Sequence, residues 1–119
     1  DRDQDSDAGA DFLVAKLKKY IDRHLDEELS LVRLAEIVYL NPTYLSRLFK
    51  QHSGQGISDY ITRMRLIKSQ ELLKHSKLKI QEIANKVGFE SAAYFGRFFK
   101  KKTNLTPQEY RDRVEESDE

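Results

Sequence analysis

Two stretches of this chain repeat one another, and that repeat limits the fold more than any other feature. LSLVRLAEIV at residues 29–38 lies over LKIQEIANKV at 78–87 with an offset of 49, and YLSRLFK at 44–50 lies over YFGRFFK at 94–100 with an offset of 50. Self-similarity on this scale marks one supersecondary unit used twice. Within each copy the apolar residues recur at three and four rather than at two, the period of a helix with one buried stripe. Each copy therefore reads as two helices joined by a tight turn, with Ala35 and Ala84 small enough to let the helices cross closely. Gly88 suits the left-handed position that ends the first helix of the second copy. Tyr39 holds the matching place in the first copy, so that turn is expected to be built differently.

With 5 Gly and 2 Pro in 119 residues, the rest of the sequence also reads as helix. The predicted fold class is all-α: two helix-turn-helix subdomains joined by a long linker helix. Leu13, Val14, Leu17, Tyr20, Ile21, His24 and Leu25 form one stripe and predict an amphipathic helix over residues 12–25. The first helix-turn-helix spans residues 31–52. Its second helix opens at Pro42 behind Asn41, because Asn satisfies an orphan backbone donor and Pro is tolerated at the first helical position. The linker helix covers residues 57–74, the second helix-turn-helix 80–102, and a closing helix starts near Pro107. Residues 1–10 are expected to be a disordered acidic linker and 112–119 an acidic tail, which leaves 11–111 as the folded domain.

On the second helix of the first unit, Leu45, Leu48 and Phe49 face inward and leave Thr43, Ser46, Arg47 and Lys50 outside. The second unit repeats this with Phe95, Phe98 and Phe99 inward and Ala92, Ala93, Gly96, Arg97, Lys100 and Lys101 outside. An Arg early on such a helix can reach guanine O6 and N7 in a major groove, while a Lys one turn later meets phosphate. The competing readings are a surface ion pair for Arg47 and Arg97 and plain solvation for Lys50 and Lys100. A helical hairpin is common as inert scaffold, but two copies with outward Arg and Lys in matching places are hard to read that way. The linker helix, roughly 18 residues at 1.5 Å each, spans about 27 Å. With its flanking turns it can separate two such helices by about the 34 Å of one DNA turn.

The formal charge of +1 conceals a distribution. Residues 1–11 and residues 112–119 each hold five acids against one base, so the body between them carries nine positive charges in excess. A basic body is the electrostatic footprint of a polyanion binder, since clustered Lys and Arg displace condensed counterions from phosphates. Cysteine is absent, which removes disulfide scaffolds, thiol catalysis and cysteine-ligated zinc together. No run approaches 18 apolar residues, and the expectation is a soluble, cytoplasmic domain without a membrane partner. The first residue is Asp rather than Met, and the chain is expected to be cut from a longer polypeptide.

These residues resemble the DNA-binding domain of AraC/XylS-type transcriptional regulators. The resemblance is carried by LSLVRLAEIVYLNPTYLSRLFKQHSG in the first unit, YITRMRLIKSQELL in the linker and IQEIANKVGFESAAYFGRFFKKKTNLTPQEYR in the second, and it covers residues 14–111. The form VYLNPTYLSRLFK looks especially like the output domains of two-component response regulators, in which a receiver or sensing domain lies upstream. The resemblance implies seven helices in two subdomains, double-stranded promoter DNA as partner, RNA polymerase as a possible further one, and no cofactor or metal. It implies base-facing places at Thr43, Ser46 and Arg47 in the first unit and at Ala92, Ala93, Gly96 and Arg97 in the second. Asn104 stands where the family usually has Gly, and Asn tolerates positive φ better than most residues. Ser69 replaces a usual Ala on the linker helix.

An enzyme finds little to stand on. His24, His52 and His75 are scattered, His24 lies on a stripe where a packed core histidine is expected, and no serine has a matching His and acid constellation. The remaining alternative is a helical protein-interaction module whose basic surface meets an acidic partner. Such a module does not need two outward arginines in matching places.

Overall fold

The computed structural model describes residues 2–117, with side chains from Ala8 onward. Among the described residues the chain forms seven helices and no strand: α1 (Arg2–Arg23), α2 (Leu31–Ile37), α3 (Pro42–Ser53), α4 (Ile57–His75), α5 (Ile80–Lys86), α6 (Ala92–Thr103) and α7 (Pro107–Ser117). Two compact units divide the chain, one ending at Thr62 and the other beginning at Arg63 within α4.

In the first unit, α1 and α2 both pack on α3. The buried residues include Val14, Leu17, Ile21 and, beyond the end of α1, Leu25 of the predicted stripe, whose Leu13 and Tyr20 are half-buried, with Leu34 and Ala35 of α2, Leu45 and Phe49 of α3, and Ile57, Tyr60 and Ile61 of α4. Phe49 meets the ring of Tyr60 edge to face at 5.7 Å, and the Tyr60 hydroxyl donates to both carboxylate oxygens of Asp22 at 3.1 and 3.2 Å. His24, expected in the core, is only half-buried: its ring lies 4.0 Å from that of Tyr20, and Nδ1 is 2.7 Å from the Tyr20 carbonyl.

In the second unit, Leu73, Ile83, Ala84, Val87, Phe95 and Phe99 form the core. Phe99 meets Tyr110 edge to face at 5.3 Å, as Phe49 meets Tyr60. The repeat thus continues past residue 100, with the first turns of α4 and α7 in equivalent roles. Arg111 is the main polar tie of this unit. Its guanidinium donates to the carbonyls of Leu73 at 3.0 Å, Leu78 at 2.7 Å, Ser76 at 3.2 Å and Leu72 at 3.4 Å. It satisfies the Leu73 carbonyl in the last turn of α4, bonds those of Ser76 and Leu78 in the segment that follows, and places a cation at the negative end of that helix.

Two boundaries differ from expectation. Helix α1 begins at Arg2, within the stretch read as disordered linker, and Asp1 lies outside the described residues. No Pro interrupts residues 2–11. Helix α7 likewise runs through Ser117, into the stretch read as an acidic tail, of which residues 118 and 119 lie outside the description.

The turn at Tyr39 corrects another expectation. Tyr39 has φ 58° and Gly88 has φ 90°, and both turns are Schellman motifs with the same hydrogen bonds. Tyr39 N–H donates to Glu36 O at 3.3 Å and Leu40 N–H to Ala35 O at 3.0 Å; Gly88 N–H donates to Asn85 O at 3.2 Å and Phe89 N–H to Ala84 O at 2.9 Å. The close crossing of the helices dictates the backbone, and Tyr39 adopts it against its own preference. At the far end of each second helix the assignment reverses: Gly54 has φ 81° and Asn104 has φ 66°. A left-handed non-glycine residue costs about 1–2 kcal/mol. Tyr39→Gly is therefore expected to stabilise the chain by about 0.5–1 kcal/mol after the entropy of glycine is subtracted, and Gly88→Ala to destabilise it by about 1–2 kcal/mol, as read from urea denaturation midpoints.

A capping box opens α7: Thr106 N–H donates to Glu109 Oε1 at 2.9 Å, and Glu109 N–H donates to Thr106 Oγ1 at 3.1 Å. The Thr106 backbone N–H first, and then its side chain, hold the Glu109 carboxyl below its ordinary value. A carboxyl depressed in the folded state gives its full contribution above the unfolded value and loses it as pH falls through the lower, folded value. The melting temperature of Glu109→Gln is accordingly expected to fall less steeply than that of the parent chain through the acidic range, and parallel curves would contradict this.

Candidate nucleic-acid interface

The outward faces of α3 and α6 are set up by their first turns. Asn41 Oδ1 accepts from the backbone N–H groups of Thr43 at 2.9 Å and Tyr44 at 3.3 Å, and Pro42 takes the first helical position. Ser91 Oγ accepts from Tyr94 N–H at 3.1 Å. The second unit adds a tie that the first lacks. Gln81 of α5 accepts from Ala92 N–H at 3.2 Å and donates to Asn85 Oδ1 at 3.2 Å, bridging the two helices of the motif. At the corresponding places the first unit has Val32, with no acceptor, and Pro42, with no N–H to give. The donor and acceptor are absent together, so no buried group is orphaned by the exchange.

Burial then follows the same rhythm along both helices. Leu45 and Phe49 are fully buried, as are Phe95 and Phe99, while Leu48 and Phe98 are half-buried. Thr43, Arg47 and Lys50 are exposed and Ser46 is half-buried; Ala93, Arg97, Lys100 and Lys101 are exposed, and Ala92 and Gly96 are half-buried. All ten candidate residues lie on the predicted helices and, within each unit, around the flank away from the core. Among the described residues neither Arg47 nor Arg97 forms an ion pair, which disfavours the surface-pair reading of both. Lys50 and Lys100 sit in the last turns of their helices, where a cation also complements the helix dipole.

Two features of this face are not legible in the sequence reading. Tyr44 and Tyr94 are exposed at matching places, 46% and 61%, on helices where aromatic residues otherwise serve the core. Gly96 has no atom within 4 Å of where a Cβ would stand, and it lies inside a regular helix. A mid-helix glycine costs about 0.5–1 kcal/mol relative to Ala, and no neighbour within the chain accounts for it. Among the described residues no group of three or more His, Asp and Glu converges to hold a metal, and no helix is long and apolar enough to cross a membrane.

Residues 34–113 match the helix-turn-helix domain family of AraC type. The regulatory protein PocR of Salmonella typhimurium is 39% identical over 107 residues, covering 90% of this chain and 35% of PocR. The C-terminal domain of AraT, a response regulator from Geobacillus stearothermophilus, is 36% identical with a TM-score of 0.80, covering 85% of this chain and 84% of that domain. The C-terminal domain of the response regulator YesN from Fusobacterium nucleatum is also 36% identical, with a TM-score of 0.76 and coverage of 82% and 95%. The chain belongs to the AraC-type helix-turn-helix family, the DNA-binding domains of bacterial transcriptional regulators. It spans about a third of the length of PocR and of the similarly matched regulator YijO of Escherichia coli.

Proposed function

We propose that this chain is the output domain of a response regulator, and that it binds promoter DNA with α3 and α6 in successive major grooves. The observation that carries the reading is the matched pair Arg47 and Arg97, both exposed, both outside any ion pair among the described residues, and each followed one turn later by an exposed Lys. Arg47, with Thr43 and Ser46 beside it, reads base edges in one groove. Arg97 reads the other, where Ala92, Ala93 and Gly96 offer only apolar contact or close backbone approach. Lys50, Lys100 and Lys101 bind phosphates. Helix α4, 19 residues long, spans roughly 28 Å and acts as the spacer.

The likeness to two response-regulator C-terminal domains supports an upstream receiver domain in the whole protein; a cytoplasmic location and RNA polymerase as a further partner are part of the same proposal. The basic body supplies the electrostatic share of affinity, and no catalytic role is assigned to the chain.

Footprinting is expected to show two protected major grooves on one face of the duplex. Lys50→Ala or Lys100→Ala should weaken binding to every sequence alike and lower the salt slope by about one ion, whereas Arg47→Ala should cost about 1–3 kcal/mol and relax preference at one base. Equal losses on specific and random duplexes for Arg47→Ala would remove its base-reading role.

Gly96 gives a second test. Because its Cβ position is open, Gly96→Ala should raise the stability of the free chain by about 0.5–1 kcal/mol. If DNA occupies that space, the same change should weaken specific binding about tenfold, comparable with one mismatched base pair. A variant that is more stable and binds equally well would show that the duplex does not approach Gly96.

A further inference from the structure

The two exposed tyrosines of the interface differ in what they hold. The Arg97 guanidinium carbon lies 4.7 Å from the centre of the Tyr94 ring, three residues earlier on α6, within the range of a cation–π contact. Among the described residues no corresponding stack joins Arg47 to Tyr44. A free arginine side chain samples many rotamers and loses that freedom when it engages a base. A stacked one has already lost much of it. A guanidinium held over a ring by cation–π attraction uses none of the N–H donors with which its bidentate fork meets guanine O6 and N7. Among the described residues those donors take no hydrogen bond or ion pair, so the contact with Tyr94 orders Arg97 without spending what recognition needs.

We infer that Tyr94 is a specificity-determining positioning residue of the second unit: it holds Arg97 in a preorganised pose and thereby sets how sharply that unit discriminates its base. The inference rests on the base-reading role assigned to Arg97 above. It explains why this device occurs in one unit only. Around Arg47, Thr43 and Ser46 can share recognition. Around Arg97 the neighbours are Ala92, Ala93 and Gly96, so discrimination by side-chain hydrogen bonds falls on one residue.

The test compares the full chain with Tyr94→Phe, Tyr94→Leu, Arg97→Ala and the Tyr94→Leu/Arg97→Ala double variant. Each is titrated against a duplex recovered from a random pool by the unaltered chain, its single-base substitutions, and a random duplex. Tyr94 is largely exposed, so Leu at this position leaves the core intact. Tyr94→Leu is expected to reduce the preference at the base lost in Arg97→Ala by roughly twofold to fivefold, the range an exposed cation–π contact supplies. Binding to the random duplex should be unchanged, Tyr94→Phe should retain the preference, and Tyr94→Leu should add nothing in the Arg97→Ala background.

In the DNA-free chain, the Arg97 side-chain N–H resonance should carry a ring-current shift that Tyr94→Phe keeps and Tyr94→Leu removes. A uniform loss on all duplexes would overturn the inference in favour of a general DNA contact, and a loss in Tyr94→Phe would overturn it in favour of a contact through the hydroxyl. If Arg97→Ala flattens the preference while Tyr94→Leu does not, the positioning role falls alone. If Arg97→Ala changes nothing on any duplex, the base-reading assignment fails and the positioning role fails with it.

Discussion

Everything that the outward face presents depends on two buried side chains in each second helix. Leu45 and Phe49, and their counterparts Phe95 and Phe99, are fully buried one helical turn apart. At 100° per residue, the side chain midway between such a pair stands on the opposite side of the helix. That midpoint is Arg47 in one unit and Arg97 in the other. The arginines are thus held outward by the cost of withdrawing the aromatic and aliphatic residues on either side of them, and the edge-to-face rings of Tyr60 and Tyr110 fix the depth of those residues in the core. The outward placement of the arginines and the packing of the core are two faces of the same spacing.

That spacing is visible in the letters, which is why the helices, the repeat and the candidate face are legible in the sequence. What could not be read are features set by the backbone or by distant contacts. Tyr39 was expected to force a different turn because a tyrosine resists positive φ, yet the crossing of α2 and α3 requires the Schellman geometry and overrides the residue. Asn104 is the same case with a more tolerant residue. The lesson is that a left-handed position is a property of the motif, and glycine is only its least costly occupant.

Other features leave weaker traces. Arg111 reaches four carbonyls 33 to 39 residues away, and nothing in RDRVEES announces a helix cap. The continuation of the repeat to Tyr60 and Tyr110 does leave a signal, a tyrosine at the same offset of 50 behind a left-handed turn. The stack of Arg97 on Tyr94 leaves one too, since residues three apart on a helix are neighbours, but Tyr44 and Arg47 have the same spacing without it. Spacing permits such a contact and the surrounding surface decides whether it forms.

The reach of Arg111 also bears on how the chain is made. The carbonyls of Leu73, Ser76 and Leu78 emerge from the ribosome well before the Arg111 guanidinium that will bond them, whereas Leu72 O already accepts from Ser76 N–H at 3.1 Å. Residues 2–62 hold their own core and caps and contain none of these late contacts. The order of synthesis therefore gives the first unit a head start, while the second closes only when its last helix folds back onto its first.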